Sequence, residues 1–128
     1  MAYNILVVDD SDTMRSVIVK TLSLSGVAVG SLFQAADGAK GIEILRKEWV
    51  DLVLADINMP VLNGVGMVGQ MKGDPALEAI PVIIVSTEGS ETRLQELKDR
   101  GVRAFLRKPF PPEELKKAVD QVLGAAHG

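Results

Sequence analysis

Cysteine is absent from this 128-residue chain, and histidine occurs once, at His127. The first absence removes disulfide frameworks, thiol nucleophiles and thiolate zinc sites, and it fits a reducing compartment. The second removes serine-hydrolase chemistry for practical purposes, because His127 sits in a terminal stretch, Gly124 to Gly128, that is expected to fray. No apolar run approaches the roughly 20 residues of a membrane-spanning helix, and the opening Met-Ala-Tyr-Asn carries no positively charged leader. Neither sign of charge dominates: 14 basic against 17 acidic residues, a net charge of −3 with the basic residues dispersed, give no argument for nucleic acid. Internal repeats, low-complexity tracts and linkers are also missing. The expectation is a single cytoplasmic domain over residues 1–128, bound to neither membrane nor nucleic acid, and monomeric.

What is present is a series of short apolar runs rich in β-branched residues: Ile5-Leu-Val-Val8, Leu52-Val-Leu-Ala55, Val82-Ile-Ile-Val85 and Ala104-Phe-Leu-Arg107. Such runs suit strands buried on both faces. They alternate with stretches of helical period in five pairs, which predicts repeated βαβ units and a doubly wound, five-stranded parallel sheet with five helices. Each run delivers polar residues at its carboxyl end, namely Asp9 and Asp10, Asp56, Ser86 and Lys108. In open parallel sheets the ligand crevice lies outside those ends, so these residues should become neighbours.

The first helix is expected to take Asp12 as N-cap, to bury Met14, Val17, Ile18 and Leu22, and to stop at Gly26. A weaker second strand covers Ala28 to Gln34, followed by Asp37-Gly38 and a helix with Ile42 and Leu45 inward. Met59-Pro60 to Asn63-Gly64 reads as a long functional loop before a glycine-weakened helix that runs to Lys72. The fourth helix spans Glu91 to Arg100 and ends at Gly101; the fifth begins near Pro112 and carries Leu115, Ala118, Val119, Val122 and Leu123 on one stripe. Trp49, just before the third strand, is expected to pack.

Asp9 and Asp10 can approach one point only if the chain turns there, and the helix start at Ser11-Asp12 supplies the turn. If Asp56 joins them at ~5 Å, like-charge repulsion is on the order of 3 kcal/mol per pair at an effective dielectric near 20. Such a cluster must take up protons or bind a cation. Hard carboxylate oxygens with a backbone carbonyl and room for water suit Mg²⁺, which keeps much of its hydration and often bridges protein to phosphate. Asp56 follows Leu-Val-Leu-Ala and precedes the apolar Ile57, an awkward place for an idle charge. A carboxylate there can act as a nucleophile and carry an acyl phosphate, with the Lys108 ammonium and the Ser86 hydroxyl reaching phosphate oxygens. Pro109 follows Lys108, and a cis bond there would fix where the lysine points.

With these residues in order, the chain resembles the receiver domain of bacterial two-component response regulators, and among them the single-domain CheY-like chemotaxis regulators. The segments that carry the resemblance are Ile5 to Asp10, Asp51-Leu-Val-Leu-Ala-Asp-Ile-Asn-Met-Pro60 with Asn63-Gly64, Val82 to Ser86, and Phe105-Leu-Arg-Lys-Pro-Phe110. The resemblance implies a flavodoxin-like fold and makes Asp56 the phosphoacceptor for a histidine kinase. It further implies Mg²⁺ held directly by Asp10, Asp56 and the Asn58 carbonyl, with Asp9 acting mainly through water. Lys108 and Ser86 would hold phosphate oxygens, and Phe105 would be the switch aromatic that turns inward when Ser86 is recruited. The output surface would be the fourth helix, fifth strand and fifth helix, with the flagellar motor switch among its candidate targets and a phosphatase as a further partner. Asn58 and Glu88 stand where the family tunes access of water to the phosphoryl group, and both are the chemotaxis-type residues, which implies a short-lived phosphoryl group. Thr87 departs from the small alanine common at its position and would narrow the entrance.

Other readings share parts of this pattern. A phosphorelay intermediate, or a receiver belonging to a longer regulator, would carry the same site. Gly64-Val-Gly-Met-Val-Gly69 matches the dinucleotide glycine fingerprint, yet it lies beyond Met59-Pro60 instead of directly after its strand. An aspartyl-phosphate hydrolase uses the same nucleophile, metal, serine and lysine but needs a second acid two residues after the nucleophile, where Asn58 stands.

Overall fold

Three of the apolar runs are strands buried along their whole length, Ile5 to Val8 and Leu52 to Ala55 being at most 1% exposed, while the edge run Ala104 to Arg107 is buried only at Ala104 and Leu106. The computed structural model describes residues 2–86, 91–102 and 104–124. Its elements alternate as β1 (Tyr3–Val8), α1 (Asp12–Ser25), β2 (Val29–Ala35), α2 (Gly38–Lys47), β3 (Leu52–Ala55), α3 (Gly64–Lys72), β4 (Val82–Ser86), α4 (Glu91–Asp99), β5 (Ala104–Arg107) and α5 (Pro112–Val119). A π-helical turn over Asp120–Gly124 continues α5. All pairings are parallel, and the strand order is β2-β1-β3-β4-β5, the doubly wound sheet expected from the alternation.

Alternation along each strand divides the core in two. Leu6, Val8, Val53, Ala55 and Ile84 pack with Ile42, Leu45, Met67, Met71 and Leu97 on one face of the sheet. Ile5, Val7, Leu52, Leu54, Ile83 and Val85 pack with Ile18, Leu22, Leu115 and Val119 on the other. Because successive side chains point to opposite faces, a strand buried on both must be apolar throughout. Among the described residues no helix is long and apolar enough to cross a membrane.

Several local expectations change. Ser11, not Asp12, is the N-cap of α1: its backbone is extended and its Oγ accepts from the Met14 N–H at 3.2 Å, while Asp12 is the first helical residue and pairs with Arg15. Two good capping residues stand side by side, and an acidic residue in the first turn still gains from the helix dipole. Val17 is 49% exposed, because the buried stripe runs through Ile18, Leu22 and Ser25, one position further round the helix. The second strand is shifted by one residue, to Val29–Ala35.

Trp49 is 77% exposed and does not pack; its indole N–H donates to Asp51 Oδ1 at 3.1 Å. It sits before the amino end of β3, at the edge of the sheet opposite Asp56. Trp49 emission should therefore be readily quenched by iodide and should not move on addition of Mg²⁺ or a phosphoryl donor; a change on either addition would place the indole's surroundings under the control of the far end of the sheet.

The loop after β3 holds a strained turn. The Leu62 N–H donates to the Pro60 carbonyl at 2.7 Å across Val61, whose φ is +65° and whose side chain is 84% exposed. A three-residue turn with positive φ is rare, and a β-branched residue there stores on the order of 1–3 kcal/mol. Val61→Gly should raise stability by about 1 kcal/mol, since relief of that strain exceeds the roughly 0.5–1 kcal/mol entropic cost of glycine. Urea unfolding checks this, and a loss of stability would show that valine is unstrained in the turn.

Candidate functional site

The strand order reverses direction between β1 and β3, and in such sheets the crevice for a ligand opens at that point, outside the carboxyl ends. Asp9 and Asp10 follow β1 and Asp56 follows β3, with the Asp56 N–H donating to the Val8 carbonyl at 3.0 Å. One carboxylate oxygen from each of Asp9, Asp10 and Asp56 can be chosen so that all lie within 4.8 Å of one another. The three differ in setting: Asp9 is buried, Asp10 exposed and Asp56 in between.

Asp9 is held from two sides. Its Oδ1 accepts from the Ser11 N–H at 2.9 Å, and its Oδ2 accepts from Lys108 Nζ at 2.7 Å. Lys108 Nζ also reaches Asp56 Oδ2 at 3.4 Å, while Asp56 Oδ1 accepts from the Ile57 N–H at 2.7 Å. The lysine arrives here because β5 pairs with β4: its N–H donates to the Ser86 carbonyl at 3.1 Å, and the Lys108–Pro109 bond is cis. Ser86, at the end of β4, is only 4% exposed. Three carboxylates against one ammonium leave about −2 of charge in a partly buried crevice, a setting that attracts a divalent cation.

The loop from β3 to α3 passes close behind the site. The Gly64 N–H donates to the Ile57 carbonyl at 2.8 Å, and a Cβ on Gly64 would fall 2.4 Å from the Asp56 carbonyl oxygen. Only glycine permits this approach, so Gly64 serves the packing of α3 against the backbone of Asp56 and Ile57. Asn63 caps α3, its Oδ1 accepting from the Gly66 N–H at 2.8 Å.

The structure thus brings Asp9, Asp10, Asp56 and Lys108 together and puts Ser86 at the end of the adjacent strand. Asn58 stands exposed at the rim, and Phe105 is half-buried on β5 with the Lys98 ammonium 5.7 Å from its ring centre. Glu88 and Thr87 lie outside the described residues, as does His127.

Two arginines complete the surroundings without having been singled out in the sequence. Arg15 Nη1 donates to the Asp9 carbonyl at 2.5 Å and its Nε to Gln34 Oε1 at 3.3 Å, while Nη2 pairs with Asp12. It pins the turn that carries the aspartates, and the Asp12–Arg15 spacing on one helix was its available signal. Arg93, on α4, donates through Nη1 to Asn58 Oδ1. No sequence pattern links positions 35 residues apart.

Residues 5–120 match the response regulator receiver domain, and the chain belongs to that family. The chemotaxis protein CheY homolog of Campylobacter jejuni is 36% identical over 125 residues, covering 97% of this chain and 95% of the relative. Protein PilH of Pseudomonas aeruginosa is 40% identical over 119 residues, covering 93% of this chain and 96% of the relative. The solved structure of Vibrio cholerae chemotaxis protein CheY4 aligns with a TM-score of 0.83 at 32% identity, over 95% of this chain and 99% of that one. The chain is a CheY-like response-regulator receiver domain, of a kind that works with histidine kinases and downstream targets in two-component signalling.

Proposed function

We propose that the chain accepts one phosphoryl group on Asp56 from a histidine kinase and, so modified, changes the surface formed by α4, β5 and α5 to bind a target in chemotaxis. The observation that carries the reading is the Lys108 ammonium shared by Asp9 and Asp56 within a cluster of three carboxylates. An idle cluster of this charge would be a net cost to folding, whereas a phosphoryl-transfer site needs each part.

An Asp56 carboxylate oxygen forms the new bond to phosphorus as the bond from phosphorus to the donor's imidazole nitrogen breaks, the electron pair leaving with that nitrogen. Asp56 is aimed by the Ile57 N–H on Oδ1 and by Lys108 on Oδ2. Asp10, Asp56 and the Asn58 carbonyl would hold Mg²⁺ directly, and Asp9 mainly through water. The donor set fits, being oxygen throughout, and the ion when bound supplies the positive charge that lets a phosphoryl dianion approach. Lys108 then transfers its hydrogen bond from Asp56 to a phosphoryl oxygen, and Ser86 donates its hydroxyl to another. Ser86 leaving its resting place opens room toward which Phe105 turns, with the Lys98 contact given up on the way, a loss of about 0.5–1 kcal/mol at an exposed site. Phosphate thereby biases a two-state surface.

The test separates this reading from a phosphohydrolase. Phosphate release from small phosphate monoesters should be negligible, while acetyl phosphate with Mg²⁺ should load one alkali- and hydroxylamine-labile group that peptide mapping assigns to Asp56. Sustained turnover of monoesters, or a group mapped to Ser86, would overturn it.

A further inference from the structure

Arg93 lies in the first turns of α4 and sends its guanidinium across to the loop after β3, where Nη1 donates to Asn58 Oδ1. Both ends of this contact are anchored. Leu97, one turn on from Arg93, is fully buried, and Leu94 packs against the same core. Asn58 is flanked by Ile57, fully buried, and Met59, 9% exposed. Fixed backbones on both sides lower the ordering cost of the contact, which otherwise cancels most surface interactions.

The chemistry of the amide gives the contact its consequence. A side-chain amide has one acceptor atom and two donor hydrogens, so Oδ1 is the only atom of the Asn58 side chain that can accept a hydrogen bond from water. A water that attacks a phosphoryl group on Asp56 gains from an acceptor that orients it and receives its proton's hydrogen bond. Asn58 is two residues from Asp56, on the same loop, and one of the two lone pairs of its oxygen accepts from the Arg93 guanidinium, which holds the amide toward α4. We propose that Arg93 is a positioning residue that keeps the Asn58 amide oxygen away from hydrolytic water and so prolongs the acyl phosphate on Asp56. The inference rests on the reading of Asp56 as phosphoacceptor. It also makes α4 part of the timing of the signal as well as of its output.

The experiment loads the full chain with acetyl phosphate and Mg²⁺, removes the donor, and follows decay of the adduct by intact mass. Arg93→Ala should shorten the lifetime roughly fivefold, a coupling typical of two residues in direct contact. Its loading rate should stay within about twofold of the native chain, and its melting temperature within about 2 °C. Arg93→Lys, which keeps one charged donor, should recover part of the lifetime. In an Asn58→Ala background, Arg93→Ala should change the decay by less than about twofold, which a merely structural role would not predict. Equal or slower decay in Arg93→Ala, or the same acceleration without Asn58, overturns this inference alone. A native chain that takes no adduct overturns the reading of Asp56 and this inference with it.

Discussion

Replacing Lys108 with methionine should destabilise the metal-free protein by about 3–5 kcal/mol, the usual cost of removing one partner from a buried ion pair. The side chains of Lys108 and Asp9 are 8% and 1% exposed, and their charged atoms are 2.7 Å apart. Methionine keeps an unbranched stem of similar reach, so the loss falls on charge and not on packing. Asp9 would retain the Ser11 N–H, but the three clustered carboxylates would face one another with no cation among them. Mg²⁺ should restore part of the loss, because an ion that binds only the folded state stabilises it by mass action. The melting temperature of Lys108→Met should therefore climb more steeply with Mg²⁺ than that of the native chain. Urea melts with a chelator and with Mg²⁺ measure both effects. A metal-free loss below about 1 kcal/mol, with no steeper response to Mg²⁺, would show that the Asp9–Lys108 pair is peripheral to the electrostatics of the site.

Asp56→Asn should do two things in opposite senses: abolish phosphorylation and stabilise the metal-free fold by on the order of 1 kcal/mol. Asparagine keeps an oxygen to accept the Ile57 N–H but cannot form an acyl phosphate. Within 4.8 Å, each repulsion of Asp56 by Asp9 and Asp10 is at least about 3.5 kcal/mol at an effective dielectric near 20. Lys108 at 3.4 Å returns about 5 kcal/mol on the same scale. The balance is weakly repulsive, and solvent at the exposed Asp10 reduces it further. Comparing melting temperatures in chelator checks the sign. A destabilised Asp56→Asn would mean that Asp56 is held chiefly by attraction to Lys108, so that the cluster is structural.

Much of the architecture could be read before the structure, and the reason is physical. Strands buried on both faces must be apolar without a break, so a charge at the end of such a run, as at Asp9, Asp56 and Lys108, stands out against its neighbours. Parallel order then brings those ends together at one edge. Finer features depend on competition between near-equal local choices. Ser11 and Asp12 both cap well, and the one-residue difference was decided by which backbone took the extended conformation. Val17 lies at the boundary of a stripe, and its exposure follows from how α1 is rolled against α5. The exposure of Trp49 was hidden for a related reason: an aromatic before a strand packs only if a helix or loop covers it, and here its indole finds Asp51 in the open. Arg93 and Asn58 meet only because α4 and the loop after β3 converge in three dimensions, which no local spacing records.

The most direct measurement is intact mass after incubation with acetyl phosphate and Mg²⁺, on the native chain, on Asp56→Asn, and on the native chain with a chelator. One labile phosphoryl adduct on the native chain, absent from both controls, is the predicted result. No adduct on the native chain, or one that persists in Asp56→Asn, would contradict the assignment of Asp56 as the residue that carries the signal.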